Sequence, residues 1–158
     1  TAPQTHVPAQ RAHAQAGTAA PKRSLVRSAI TLLLQQPSLG LEAAMPYVFV
    51  GLRQPGVDLL TELLDVVQMR PDISTGGLLE LFAERDEAAS LQKLASVSLP
   101  GDAASWQAEF DDVLAQLAKQ TLQQRIDELM TRMREVGNAG MTAAEKDELR
   151  ELQARVRG

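Results

Sequence analysis

The chain has 158 residues, 16 Lys and Arg against 20 Asp and Glu, a formal net charge of -4 and no cysteine. That length suits one domain, or one domain with an appendage, and the missing cysteine excludes a disulfide scaffold, a thiolate zinc site, an iron–sulfur cluster and a cysteine nucleophile while fitting a reducing compartment. Aromatic residues make up only 3%, so any core has to be aliphatic, and no apolar run approaches the ~18–20 residues that span a bilayer, so no membrane partner is expected.

Residues 1–21 are mostly Ala, Gln, Thr, Pro and Gly, with Val7 the one larger aliphatic. Pro3, Pro8 and Pro21 interrupt any helix, and so little apolar surface cannot offset the entropy of ordering. This stretch reads as a disordered linker. The chain begins at Thr1 rather than Met, which reads as a piece of something longer. Charge divides the chain as well: Arg11, Lys22, Arg23 and Arg27 all precede the first acidic residue, Glu42.

From Ser24 the pattern becomes helical. Ser24 is a plausible N-cap, and Leu25, Val26, Ala29, Ile30, Leu33 and Leu34 follow at helical spacing until Pro37 ends the run. A short helix is expected over Leu39–Ala44, then an apolar plug at Tyr47–Val50 that has no partner strand. Pro55 suits the first turn of the next helix, which carries Leu59, Leu60, Leu63, Leu64, Val66 and Val67 and stops before Pro71. Ser74 caps a shorter helix with Leu78, Leu79, Leu81 and Phe82, and another follows near Glu87–Ser96 before the Pro100–Gly101 break.

Residues from about 103 to 136 contain neither Pro nor Gly and predict one long helix, about 50 Å at 1.5 Å per residue. Its apolar stripe changes phase. Trp106, Phe110, Val113 and Leu117 step by four, three and four; Leu122, Ile126, Leu129, Met133 and Val136 resume the stepping after a gap of five. That gap rotates the stripe by about 140°, so the two halves face different bodies. The first half should close the preceding bundle and the second should leave it. Gly137 then suits a helix end, Thr142–Glu145 reads as a capping box, and Leu149, Leu152 and Val156 mark a last helix folding back as an antiparallel hairpin. The expected fold is all-α: a linker over 1–21, a helical bundle over 22–121, and a long helix running into a C-terminal hairpin over 122–158.

Chemistry-bearing residues are sparse. The two histidines, His6 and His13, fall in the linker. Ser74-Thr75-Gly76-Gly77 lacks both the preceding strand and the Gly-Lys-Ser/Thr ending of a phosphate loop. The carboxylates Asp58, Glu62, Asp65, Asp111 and Asp112 lack the Glu-x-x-His pairs of a helical di-metal site and read as solvated faces. Trp106 and Phe110 read as core rather than as a base-stacking platform. With no nucleophile–base pair, the expectation is no catalytic residue, no metal and no cofactor. Lys22, Arg23 and Arg27 are either ordinary solvated charge or a landing site for an acidic peptide or phosphate backbone, and the net negative charge argues against DNA binding by the chain as a whole.

The stretch Lys22–Pro37 (Lys-Arg-Ser-Leu-Val-Arg-Ser-Ala-Ile-Thr-Leu-Leu-Leu-Gln-Gln-Pro) resembles the opening of the C-terminal domain of bacterial DNA primase. Thr75–Glu80 and Leu91–Leu94 resemble its later helices, and Leu129–Leu152, with Met141-Thr142 entering the last helix, its terminal hairpin. The signal is the ordered set of helix starts over about residues 22–158. The resemblance implies a non-catalytic helicase-interaction domain of a cytoplasmic primase, itself a DNA-directed RNA polymerase making RNA primers. Its hairpin would dock on the N-terminal collar of the hexameric replicative helicase, expected here through Leu129, Met133, Met141, Leu149, Leu152 and Val156. Its bundle would modulate the helicase and receive the acidic C-terminal tail of single-stranded DNA-binding protein on Lys22, Val26, Arg27, Ile30, Lys93 and Leu94. Val26 and Val97 stand where the family has a longer Met and an aromatic, and the ending Arg155-Val156-Arg157-Gly158 departs from its terminal lysines. The competing readings are a helical adaptor unrelated to replication and a direct DNA-binding module.

Overall fold

A computed structural model describes residues 24–157; the linker assignment and Lys22 and Arg23 lie outside them. The described residues form six α-helices and no strand: α1 Leu25–Gln35, α2 Val57–Met69, α3 Thr75–Leu81, α4 Ala88–Ala95, α5 Ala103–Gly140 and α6 Ala143–Arg157, with a 3-10 turn at Pro37–Gly40.

Helix α1 is the axis of the bundle. Every residue from Ala29 to Leu34 is buried, as expected of a helix apolar all round, and α2, α3, α4, α5 and the 3-10 turn all pack against it. Its one buried polar side chain, Thr31, donates its hydroxyl to the Arg27 carbonyl at 2.8 Å. Ser24 caps α1 by accepting from the Arg27 N–H at 3.2 Å, and Ser74 caps α3 by accepting from Gly77 at 3.0 Å. Asp102 starts α5 with a reciprocal box, its carboxylate accepting from the Ser105 N–H and its own N–H donating to the Ser105 hydroxyl. Each places an oxygen where the first turn has orphan donors.

Two local expectations change. The short helix over Leu39–Ala44 is instead the 3-10 turn Pro37–Gly40 followed by turns. The Gln68 amide holds it from α2, donating to the Gly40 and Ala43 carbonyls at 3.0 and 2.9 Å. Helix α2 starts at Val57, beyond Pro55, because Gly56 sits at φ 90° and cannot belong to a right-handed helix. The apolar plug is a run of turns: Tyr47 and Phe49 point inward with stacked rings 5.5 Å apart, while Val48 and Val50 stay exposed. The buried Tyr47 hydroxyl donates to Asp65 at 2.6 Å, and burial together with that carboxylate holds its pKa well above the usual phenolic value.

Helix α5 serves two cores that share no residue. Phe110, Val113 and Leu117 join the cluster built on α1. Ile126 and Leu129 join a second cluster with Met141, Leu149 and Leu152, flanked by Leu122, Met130 and Met133. The helical run breaks at Gly137 (φ 75°, ψ 166°). Thr142 and Glu145 then form the reciprocal box that starts α6, at 2.9 and 3.0 Å.

Candidate functional site

Two features stand out: a cavity beside α1 and the surface of the hairpin. The cavity measures about 640 Å3. Val26 and Ile30, one turn apart on α1 and both buried, belong to its wall, as do Leu59 of α2 and Leu91 and Leu94 of α4. Arg27, exposed, sits beside them and has no ion-pair partner among the described residues. Gly56 closes one side, where a Cβ would come within 3.1 Å of Val26. A smaller recess of about 220 Å3 shares Arg27 and Leu94 and adds Thr31, Val97 and Leu99. The arrangement can take an apolar side chain with a negative group beside it.

Of the residues expected to hold an acidic tail, Val26, Arg27, Ile30 and Leu94 therefore line one cavity. Lys93 is exposed on α4 and is absent from the lining, while its neighbour Leu94 faces in. A carboxylate that sequence reasoning missed, Glu87, lies on the wall. It is paired with Arg85 at 3.5 Å, and Arg85 also grips Glu62 with two hydrogen bonds of 2.8 and 3.3 Å and lies 5.2 Å from the Phe82 ring centre. This pairing tempers the negative charge at the cavity.

In the hairpin, Leu129, Met141, Leu149 and Leu152 are all 7% exposed or less, and Met133 is half-buried. These side chains hold α5 to α6. Val156, at 49%, and Val136, at 40%, are the large apolar groups that the hairpin leaves in solvent.

Ion pairs line the seam. Arg125 donates to both oxygens of Glu148, at 2.7 and 2.9 Å, and to Glu128 at 3.2 Å. Arg132 pairs with Glu145 at 2.6 Å. Contact with the Arg53 guanidinium, reinforced by Arg125, holds the Glu128 carboxyl below the usual carboxylate range. Hydrogen bonds from Arg125 do the same for Glu148, and the Thr142 N–H, followed by Arg132, for Glu145.

Sequence reasoning also missed the glutamines. Gln124 accepts from the Arg53 N–H and donates to the Gly51 carbonyl, and Gln54 donates to Gln120. A polar side chain on an exposed helix face gives no periodic signal, so only a register against the loop could have identified them. Among the described residues no group of three His, Cys, Asp or Glu is placed to hold a metal ion, and no helix is long and apolar enough to cross a membrane.

Geometry thus defines a class: among the described residues, an all-helical module with a bundle, an apolar cavity flanked by an exposed arginine, and a two-helix hairpin with its own small core. The family described as DNA primase DnaG DnaB-binding matches residues 26–152, and the chain belongs to it. Among its relatives is the DNA primase of Salmonella typhimurium strain LT2, 33% identical over 128 residues that cover 81% of this chain and 22% of that protein. The DNA primase of Escherichia coli K12 is 31% identical over 116 residues, covering 73% and 20% respectively. The chain therefore spans about a fifth of the length of these relatives. The solved structure of the DnaG primase C-terminal domain from Vibrio cholerae superposes with a TM-score of 0.65 at 30% identity, covering 82% of this chain and 96% of that one.

Proposed function

We propose that this chain is the part of a bacterial primase that docks on the hexameric replicative helicase, DnaB, and carries no primer-synthesis chemistry itself. The observation that supports it most is the family match, which runs through the bundle and into α6. In this reading the hairpin makes the principal contact and the bundle modulates helicase activity. The buried Leu129, Met141, Leu149 and Leu152 support the docking surface from beneath, while Val136, Val156 and the accessible part of Met133 contribute to it directly. The interaction belongs to the bacterial cytoplasm, where a tether to a polymerase makes even a weak dock effective. Titration of the intact chain and of a chain ending at Thr121 into the cognate helicase hexamer tests this. Binding by the intact chain alone is expected; equal binding by the truncated one overturns the hairpin's part, and none by either overturns docking.

The α1 cavity favours a second, compatible interaction. Val26, Ile30 and Leu94 offer an apolar wall and Arg27 an exposed guanidinium, chemistry that suits the acidic C-terminal tail of single-stranded DNA-binding protein with its terminal carboxylate. Glu87 works against such a ligand, so Arg27→Glu should abolish binding of a tail peptide and Glu87→Gln should strengthen it. Equal affinity across the native chain and both variants would refute the assignment.

A further inference from the structure

The loop Gly51–Gln54 lies against α5 over Gln120–Glu128, where the bundle gives way to the hairpin. Leu52 anchors the loop in the bundle core at 6% exposure. On either side of it the backbone is read by one amide: the Gln124 oxygen accepts from the Arg53 N–H at 2.8 Å, and its nitrogen donates to the Gly51 carbonyl at 2.7 Å. The Arg53 side chain reaches Glu128, Glu128 holds Arg125, and Arg125 grips Glu148 on α6. Charges thus alternate along an unbroken chain from the bundle loop through α5 to α6. Gln54 and Gln120, hydrogen-bonded to each other, line both the polar cleft at this joint and the cavity beside α1.

We propose that this joint couples the pairing of the hairpin to the cavity beside α1. Glu128 is shared by two guanidiniums and Arg125 by two carboxylates. If α6 shifts or is taken up by a partner, Glu148 leaves and the remaining Arg53–Glu128–Arg125 group is net positive. Arg125 then turns to Glu128, three residues on in its own helix, and competes with Arg53 for it. The loop's ionic hold weakens, and Gln54, with the adjoining Pro55 and Gly56 of the cavity wall, moves with it. A ligand in the cavity acts on the hairpin through the same joint, because coupling between sites is reciprocal. The consequence for replication rests on the docking and tail-binding readings; the joint itself does not.

Amide hydrogen exchange on the free chain tests it. Gln124→Ala removes the hydrogen bond of the Arg53 N–H and should speed its exchange about tenfold. Glu148→Gln, on a residue that does not touch the loop, should speed exchange of the hydrogen-bonded Leu52 and Arg53 amides several-fold. Added to Arg53→Ala, it should have no further effect there. Asp147→Asn, whose partner Arg150 lies on its own helix, should leave the loop as it was. The joint is refuted if Glu148→Gln loosens α6 without altering the loop amides, or if Asp147→Asn alters them equally. No helicase or tail peptide enters the measurement, so its failure is distinct from failure of either binding reading.

Discussion

Replacing Leu129 by Ala probes whether the hairpin melts apart from the bundle. Leu129 is 1% exposed in a cluster of five buried side chains, and Leu117, twelve positions earlier on the same helix, is 0% exposed in the other. Truncating a buried leucine costs about 2–5 kcal/mol, the lower end applying where the surroundings can collapse onto the gap. A two-helix layer collapses easily, so about 2–3 kcal/mol is expected at Leu129 and about 3–4 kcal/mol at Leu117, inside a bundle packed from all sides. Each unit has its own reporter. Trp106, the chain's one tryptophan, packs on the bundle core and donates its indole N–H to the Pro100 carbonyl at 2.8 Å. With no native cysteine, an exposed Ala154→Cys substitution gives a unique labelling point on α6. Leu129→Ala should lower the transition seen by the α6 label and move the Trp106 transition by less than about 0.5 kcal/mol. Leu117→Ala should lower the Trp106 transition by about 10 °C or more. Equal shifts of both reporters in both variants would mean that one cooperative unit spans the chain, and the reasoning from separate cores would fail.

Acid should loosen the hairpin. Glu128, Glu145 and Glu148 take up protons at lower pH in the folded chain than the ~4.3 of a free glutamate, so the unfolded chain binds more protons in that window and stability rises with pH through it. Their contribution is complete above about pH 5 and disappears as pH falls through the depressed values; melting of the α6 label at pH 7 and pH 3.5 checks it, and no change would refute it. At Gly137, φ is 75° and ψ 166°, a backbone region essentially confined to glycine, and nothing lies within 4 Å of an added Cβ, so Gly137→Ala suffers only the backbone penalty, about 1–3 kcal/mol against the hairpin. Unchanged melting of the α6 label in that variant would show that the positive φ is not required.

Local chemistry was legible from the residues alone. The caps at Ser24, Ser74 and Thr142 depend on a hydroxyl three residues from an orphan N–H, a relation that the chain carries without tertiary help. The five-residue step from Leu117 to Leu122 likewise gave α5 two faces, because helical rotation per residue is constant. Tertiary structure decided what each face meets. Hydrophobic spacing marked Leu129, Leu149, Leu152 and Val156 alike, yet only packing separates the three that are buried from Val156, which is half in solvent. The same holds on α4, where Leu94 faces the cavity and Lys93 does not, and Glu87 enters the wall unannounced. Gln124 and Arg53 are 71 positions apart, and their hydrogen bond depends on where a loop anchored by Leu52 comes to rest on a helix. Propensity and periodicity act within a few residues of chain. Exposure, partner choice and the joint between the two cores depend on contacts between distant segments, which exist only once the whole chain has packed.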